Sequence, residues 1–168
     1  MKRYIITILL SMTVFSAFCK DFIIAEKGKK NAVFEKNEKA LSACVIFNDY
    51  LKKMGFAPLQ IVEKGKGKEL VIRFQVSPSG NNSRDDDFSI SFPDKNTLLI
   101  SCTDISAKWA VNHLLEEYAG LMHLFPEENG TYIPVISKIF LPRKAYKVSS
   151  SWNLKRFVEN ATENRTVL

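Results

Sequence analysis

The segment FSISFPDKNTLLISCTDISAKWAVNHLLEEYAG, residues 88–120, contains the signals of two strands and a helix in direct succession. Its first part alternates apolar residues with serines, at Phe88, Ile90 and Phe92. The apolar run 98–102 returns after a turn, so this part predicts a β-hairpin. Apolar residues then recur at the spacing of one helix face, at Ala107, Ala110, Val111, Leu114, Leu115 and Tyr118. A hairpin followed closely by an amphipathic helix is typical of an α+β domain.

The residues before this unit predict a second helix and further strands. From about Glu35 to Met54 apolar residues recur at helical spacing, and Gly55 follows as the left-handed residue that ends a helix. The apolar stripe of this helix comprises Ala40, Leu41, Cys44, Val45 and Leu51, and Phe47, Tyr50 and Met54 widen it. Further strands are predicted at 22–25, 60–62, 70–76 and 135–141. This order predicts an α+β fold in which two helices pack on one mixed or antiparallel sheet.

The start of the chain, residues 1–19, has the pattern of a secretory signal peptide. Lys2 and Arg3 form its basic region, and the apolar run that follows is too short to span a bilayer. We therefore expect an exported protein, in the periplasm, on the cell surface or secreted, with no membrane span. Cleavage after Cys19 is favoured over lipid attachment at that cysteine, because Phe18 stands where a lipoprotein signal has a small residue.

The net charge of +6 is concentrated at the two ends of the chain. After Pro142 the basic residues are Arg143, Lys144, Lys147, Lys155, Arg156 and Arg165, against Glu159 and Glu163. The body between the leader and this tail carries equal numbers of acidic and basic residues. A nucleic-acid-binding domain usually has a basic face on its folded body, so no nucleic-acid partner is expected.

Two cysteines, Cys44 and Cys102, remain after the leader is removed. An oxidising compartment would permit a bridge between them. Both fall at apolar positions of predicted elements, which favours two buried free thiols. The bridged alternative stays open at this point.

Residues typical of catalytic sites are few. His113 and His123 are the only histidines, and Glu117 or Tyr118 stands where a zinc-binding helix would have its second histidine. Glu116 and Glu117 are adjacent on a predicted helix and point about 100° apart, unlike the facing carboxylates of a glycosidase. We therefore expect no catalytic residue and no metal site, His113 at the surface or boundary, and His123 packed or hydrogen-bonded.

Three short motifs also have ordinary interpretations. The alternation Gly65-Lys66-Gly67-Lys68 lacks the Ser or Thr and the following helix of a phosphate-binding loop, which favours a solvated turn. The acidic run 85–87 has no calcium-loop spacing. The serine run 149–151 has no glycine elbow. No cofactor is expected.

Several segments, taken in order, resemble a known family. They are MGFAPL at 54–59, DFSI at 87–90, LLI at 98–100, WAVNHLLE at 109–116, GL at 120–121 and FPEENGTYIP at 125–134. In this order they resemble the N-terminal domain of family 67 glycoside hydrolases, the alpha-glucuronidases, and of related bacterial carbohydrate-active proteins. The resemblance extends from about Phe22 to Arg156. It implies an α+β domain, similar to the second domain of chitobiase-type hexosaminidases, that precedes a catalytic (β/α)8 barrel.

The resemblance also implies how the chain is organised. Residues 1–19 would be the signal peptide, 20–142 the accessory domain, and 143–168 a basic linker or tail similar to the link into the first barrel strand. The catalytic carboxylates belong to the barrel, which is missing here. Within the tail, Trp152 and Arg156 are candidates to stack on and hydrogen-bond a sugar.

The function implied is that of an exported, non-catalytic accessory domain acting in the breakdown of xylan glucuronosides or a related polysaccharide. The chain would then be a fragment or a stand-alone remnant, with a carbohydrate or a catalytic barrel as its partner. The alternative, motivated by the charge after Pro142, is a periplasmic or surface module that binds another protein through its C-terminal tail.

Overall fold

The chain folds as two helices packed against one face of a mixed sheet, which confirms the predicted α+β class. The computed structural model describes residues 21–78, 87–124 and 130–149. Its strands are β1 Phe22–Glu26, β2 Val33–Glu35, β3 Ile61–Val62, β4 Val71–Ser77, β5 Phe88–Ser91, β6 Thr97–Thr103, β7 Met122–His123, β8 Thr131–Tyr132, β9 Lys138–Leu141 and β10 Tyr146–Val148. The helices are α1 Leu41–Lys53, preceded by a 3-10 turn at Glu38–Ala40, and α2 Ser106–Ala119.

Six strands form the main sheet, in the order β10-β5-β6-β4-β2-β3. β2 pairs in parallel with both β3 and β4, and β4 pairs in parallel with β6. β5 runs antiparallel to β6 as the predicted hairpin, and β10 runs antiparallel to β5 at the edge. The remaining strands form two separate antiparallel pairs, β1 with β9 and β7 with β8.

The core lies between the helices and one face of this sheet. Ile72, Leu98 and Ile100 of the central strands are fully buried there, as the alternation of each strand requires. The Phe34 ring of β2 meets the Phe47 ring of α1 edge-on at 5.7 Å, and the β4 ring of Phe74 lies 6.1 Å away. The opposite face of the sheet, which we call the open face, carries mainly polar side chains.

The ends of the helices follow local signals in the sequence. Gly55 has φ +79°, which confirms the predicted glycine stop after α1, and Gly120, with φ +73°, ends α2 in the same way. After α1, the Phe56 N–H donates to the Leu51 carbonyl oxygen at 2.9 Å, which closes the helix end. Among the described residues, no helix has the length and apolar character needed to cross a membrane.

The start of α1 differs from the prediction. The expected helix from about Glu35 begins instead at Leu41, and the residues before it form β2 and the 3-10 turn. Asn37 sets this start, because its side-chain oxygen accepts from the Lys39 N–H at 3.1 Å and its amide donates to the Phe74 carbonyl at 3.0 Å. A strand of three residues is too short to give a periodic signal of its own.

The C-terminal part of the fold also differs in detail. The last predicted strand, 135–141, begins only at Lys138, and Val135 is 94% exposed. Sequence analysis ended the domain at Pro142, whereas the sheet continues into β10. Tyr146 and Val148 of this strand pack against the core, which explains why the chain returns to the sheet edge.

Candidate functional site

The outer side of the helix pair carries exposed apolar side chains. Leu41 and Val45 of α1 are 41% and 49% exposed, and Ile105, just before α2, is 47% exposed. Beside them is a groove of about 450 Å³ lined by Ser42, Ile46, Asp104, Ile105, Lys108, Trp109 and Asn112. Apolar side chains grouped at a surface and rimmed by polar ones mark an interaction site. We call Leu41, Val45, Ile105 and this groove the outer helix face.

Leu41 and Val45 belong to the apolar stripe predicted for α1, but the structure leaves both exposed. The residues that α1 buries are Ala43, Cys44, Phe47 and Leu51. The apolar pattern of this helix is wider than one stripe, and only the part that faces the sheet and α2 is covered. Periodicity alone therefore did not show which apolar residues would remain at the surface.

The strand β10 ends at the same end of the sheet as β6, from which α2 follows. The Ser149 hydroxyl donates to a carboxylate oxygen of Asp87 at 3.2 Å, just before β5. Phe88 pairs with Cys102 near the end of β6, and the chain then passes through Ile105 into α2. Because neighbouring strands lie about 5 Å apart, Ser149 is roughly 10 Å across the sheet from the end of β6.

A second groove, of about 650 Å³, lies on the open face at this same end of the sheet. Its lining includes the hydroxyl-bearing Ser77, Ser89, Ser101 and Ser149, together with Asp87 and Lys147. The Lys147 ammonium and the Asp87 carboxylate form an ion pair at 3.0 Å. Ser89 stands opposite Lys147 on one side and opposite Ser101 on the other, so the three side chains form one row across three strands. We call this surface the hydroxyl groove.

At the other end of the open face, charged residues form ion pairs with one another. Glu35 accepts two hydrogen bonds from the Arg73 guanidinium, both at 2.9 Å, and these hold the pKa of Glu35 below its usual value. Gly65, in the predicted turn, packs so closely on Val71 that a side chain there would collide with it. The Gly65-Lys66-Gly67-Lys68 segment is thus a turn lying on the sheet.

The histidines and acidic residues of α2 do not converge on one site. The half-buried His113 ring stacks edge-on with Phe88 at 5.4 Å, which confirms its boundary position. His123 is exposed and hydrogen-bonded to the Thr131 hydroxyl at 3.2 Å, as expected. Glu116 and Glu117 are both exposed. Within residues 21–78, 87–124 and 130–149, no three His, Cys, Asp or Glu side chains are grouped to hold a metal ion.

Both cysteines of the body are free and buried, which confirms the favoured interpretation over a bridge. Burial raises the pKa of Cys44 and of Cys102 to about 12. The Tyr146 hydroxyl accepts a hydrogen bond from the Tyr118 hydroxyl at 3.1 Å. Burial is the main cause that raises the pKa of Tyr146, and this hydrogen bond raises it further. These groups serve packing, since thiols and phenols in this state are protonated at neutral pH.

The sugar-contact candidates Trp152 and Arg156 lie outside the described residues, so they remain predictions. The two surfaces that the structure shows were not found from the sequence. The outer helix face brings together residues 41–46 and 104–112, and the hydroxyl groove combines four strands, β4, β5, β6 and β10. Neither surface corresponds to a local sequence motif. Each surface forms only when elements distant in the sequence pack together.

No protein-family model and no curated protein matches this chain. Among solved structures, the crystal structure of the GH20 exo-β-N-acetylglucosaminidase from Vibrio harveyi in complex with N-acetylglucosamine is similar, with a TM-score of 0.50 and 15% sequence identity. The similarity covers 79% of this chain and 17% of that chain. The chain shares the fold of one part of a glycoside hydrolase. That enzyme belongs to GH20, so the resemblance to family 67 remains a prediction.

Proposed function

We propose that this protein is an exported, non-catalytic accessory domain of a carbohydrate-active protein, of the kind found at the N-terminus of alpha-glucuronidases. In this proposal the outer helix face packs against a catalytic (β/α)8 barrel that acts on xylan glucuronosides or a related polysaccharide. The observation that carries the proposal is the apolar outer helix face, which has no cover among the described residues. The shared fold with one part of a glycoside hydrolase supports the carbohydrate-active class.

The energetics of the outer helix face support a protein partner. Full burial of an aliphatic side chain contributes about 1.5–3 kcal/mol. Since Leu41, Val45 and Ile105 are already about half buried, covering them would contribute roughly 1 kcal/mol each. The half-buried Trp109 lines the adjoining groove and would add to this contact. The polar residues that line the groove, among them Asp104 and Lys108, would orient the partner.

The position of the tail fits a partner that follows in the same polypeptide. Segment 143–168 resembles the link into a barrel, and the described chain reaches Ser149 near the end of β6 from which α2 starts. A domain attached there would begin at the end of the sheet from which α2 also begins. Trp152 and Arg156 would then lie near the junction, where contact with a sugar remains part of the proposal.

The proposal assigns the hydrolysis itself to the barrel. Glycosidases use two carboxyl groups that face each other across the bond to be cleaved. Glu116 and Glu117 are exposed neighbours on α2, so the two carboxylates point in different directions from the helix. Their side chains lie in solvent on the surface of the helix.

In the alternative, the basic tail binds another protein. This alternative is weakened because the first basic side chains of the tail contact the folded domain itself. The Arg143 guanidinium lies over the rings of Phe22 and Phe92 at 5.6 and 5.8 Å. Lys147 is paired with Asp87 at 3.0 Å. Both cations therefore contact this fold, and the alternative depends on the exposed Lys144 and on the charge that lies beyond Ser149.

The test uses the polypeptide encoded on the 3′ side of codon 168. We expect that DNA to encode a (β/α)8 barrel and the separately expressed barrel to bind this chain. Val45→Glu combined with Ile105→Glu places two charges in the apolar surface and should weaken the complex at least about tenfold. The matched control, Gln75→Glu with Ser91→Glu on the open face, should bind as wild type does. Absence of a barrel-coding frame, or equal binding by both double variants, would contradict the proposal.

A further inference from the structure

We infer that the hydroxyl groove on the open face is a binding site for a neutral saccharide. The groove is a shallow, open depression of about 650 Å³, a volume within the size range of small-molecule sites. It is separate from the outer helix face, which lies on the other side of the helix layer. The choice of a saccharide among polyhydroxylated ligands rests on the proposed carbohydrate-active function.

The side chains of the groove match the hydrogen-bonding capacity of sugar hydroxyls. A serine hydroxyl both donates and accepts, as a sugar hydroxyl does. Ser89 and Ser101 stand directly opposite each other on β5 and β6, so their hydroxyls lie about 5 Å apart on one surface. Such a row offers alternating donors and acceptors to a ligand that lies across the strands.

The charged pair at the rim favours a neutral ligand over an ion. Among the described residues that line the groove, the charged ones are Asp87 and Lys147, whose charges cancel. An anion would meet the Asp87 carboxylate and a cation would meet the Lys147 ammonium. A sugar hydroxyl can donate to the carboxylate and accept from the ammonium, and charge-assisted bonds of this kind are stronger than neutral ones.

The groove stays accessible when the helices are covered. Phe88 and Cys102, beside it, point their side chains into the core, while Ser89 and Ser101 are half-buried on the opposite side of the same strands. A catalytic domain docked on the outer helix face would contact the helix layer, and its link to this chain would start from Ser149 at the rim of the groove. The site could hold a polysaccharide while the partner acts on it.

The test is an NMR titration of the mature chain with cellobiose, xylobiose and chitobiose at millimolar concentration. We expect amide shifts grouped at Ser89, Ser101 and Lys147 with at least one of these disaccharides. Ser89→Tyr places a ring in the middle of the row of hydroxyls and should weaken binding at least about tenfold. Ser91→Tyr is the matched control, because it is the same change two residues along β5, on the same face but outside the groove. It should bind as wild type does.

A second variant removes a charge without adding bulk. Asp87→Asn should weaken binding severalfold. Because Asp87 also pairs with Lys147 and accepts a hydrogen bond from Ser149, a thermal melt of this variant will show whether β10 stays attached. The inference is overturned if no disaccharide shifts these amides, if inorganic phosphate shifts them equally, or if Ser91→Tyr weakens binding as much as Ser89→Tyr. The outer-face variants Val45→Glu and Ile105→Glu should retain saccharide binding, so failure of the barrel partner and failure of this site can be distinguished.

Discussion

At the residue scale, a bidentate ion pair joins two parallel strands on the open face. The Arg73 guanidinium holds the pKa of the Glu35 carboxyl below its ordinary value of 4.5. A carboxyl with a lowered pKa in the folded state stabilises that state above its unfolded pKa. The contribution is therefore present at neutral pH and is lost as the pH falls below 4.5, through the folded-state pKa.

We expect Glu35→Gln to lower the free energy of unfolding at neutral pH by about 0.5–1 kcal/mol, a modest value because Arg73 is 44% exposed and solvent screens the pair. Urea denaturation at several pH values will show this deficit shrinking below pH 4.5. The control is Glu63→Gln, whose carboxylate is 82% exposed and pairs with Lys36, and it should have little effect. An equal loss in both variants, or a deficit that persists in acid, would contradict the assignment.

The buried thiols give a second prediction at this scale. Burial raises the pKa of Cys44 and of Cys102 to about 12, so neither is a thiolate at neutral pH. In a Cys19→Ser background we expect Ellman's reagent to find no reactive thiol in the native protein and two after denaturation in guanidinium chloride. Fewer than two after denaturation without reductant would reveal a bridge, and rapid reaction of the native protein would show that a thiol is accessible.

At the element scale, one aromatic side chain of β2, Phe34, packs against two neighbouring elements. Its Phe34 ring lies between α1 and β4, against Phe47 and Phe74. We expect Phe34→Ala to lower the free energy of unfolding by about 3–5 kcal/mol. The reason is that the cavity left by the ring would remove the packing between the three-residue strand β2 and the helix α1 that follows it. Phe140→Ala, at a 44% exposed ring of β9, should cost less than about 1 kcal/mol. Similar losses in the two variants would contradict the packing described here.

The elements with strong local signals were predictable. The β5–β6 hairpin and both helix ends follow from alternation, helical spacing and the two glycines, all of which act within a few residues. β2 and β10 were not predictable, because each has three residues and is stabilised by partners far away in sequence. The exposure of Leu41 and Val45 was missed for the same reason, since tertiary packing decides which side of a broad apolar helix is covered.

At the scale of the whole molecule, the two layers present different surfaces. The helix layer presents apolar Leu41, Val45 and Ile105, which favours a protein partner. The sheet presents serines, Arg73 and Gln75, which suit solvent or a polar ligand. This division is consistent with a domain that is attached on one side and accessible on the other.

The central claim, that this chain is a non-catalytic accessory domain, is tested most directly by a hydrolysis assay of the purified mature protein. The substrates are glucuronic acid-substituted and 4-O-methylglucuronic acid-substituted xylo-oligosaccharides and a chromogenic N-acetyl-β-glucosaminide. We predict no product above the buffer rate, and identical results for wild type, Glu116→Gln and Glu117→Gln. Turnover by the wild type that either substitution abolishes would contradict the account.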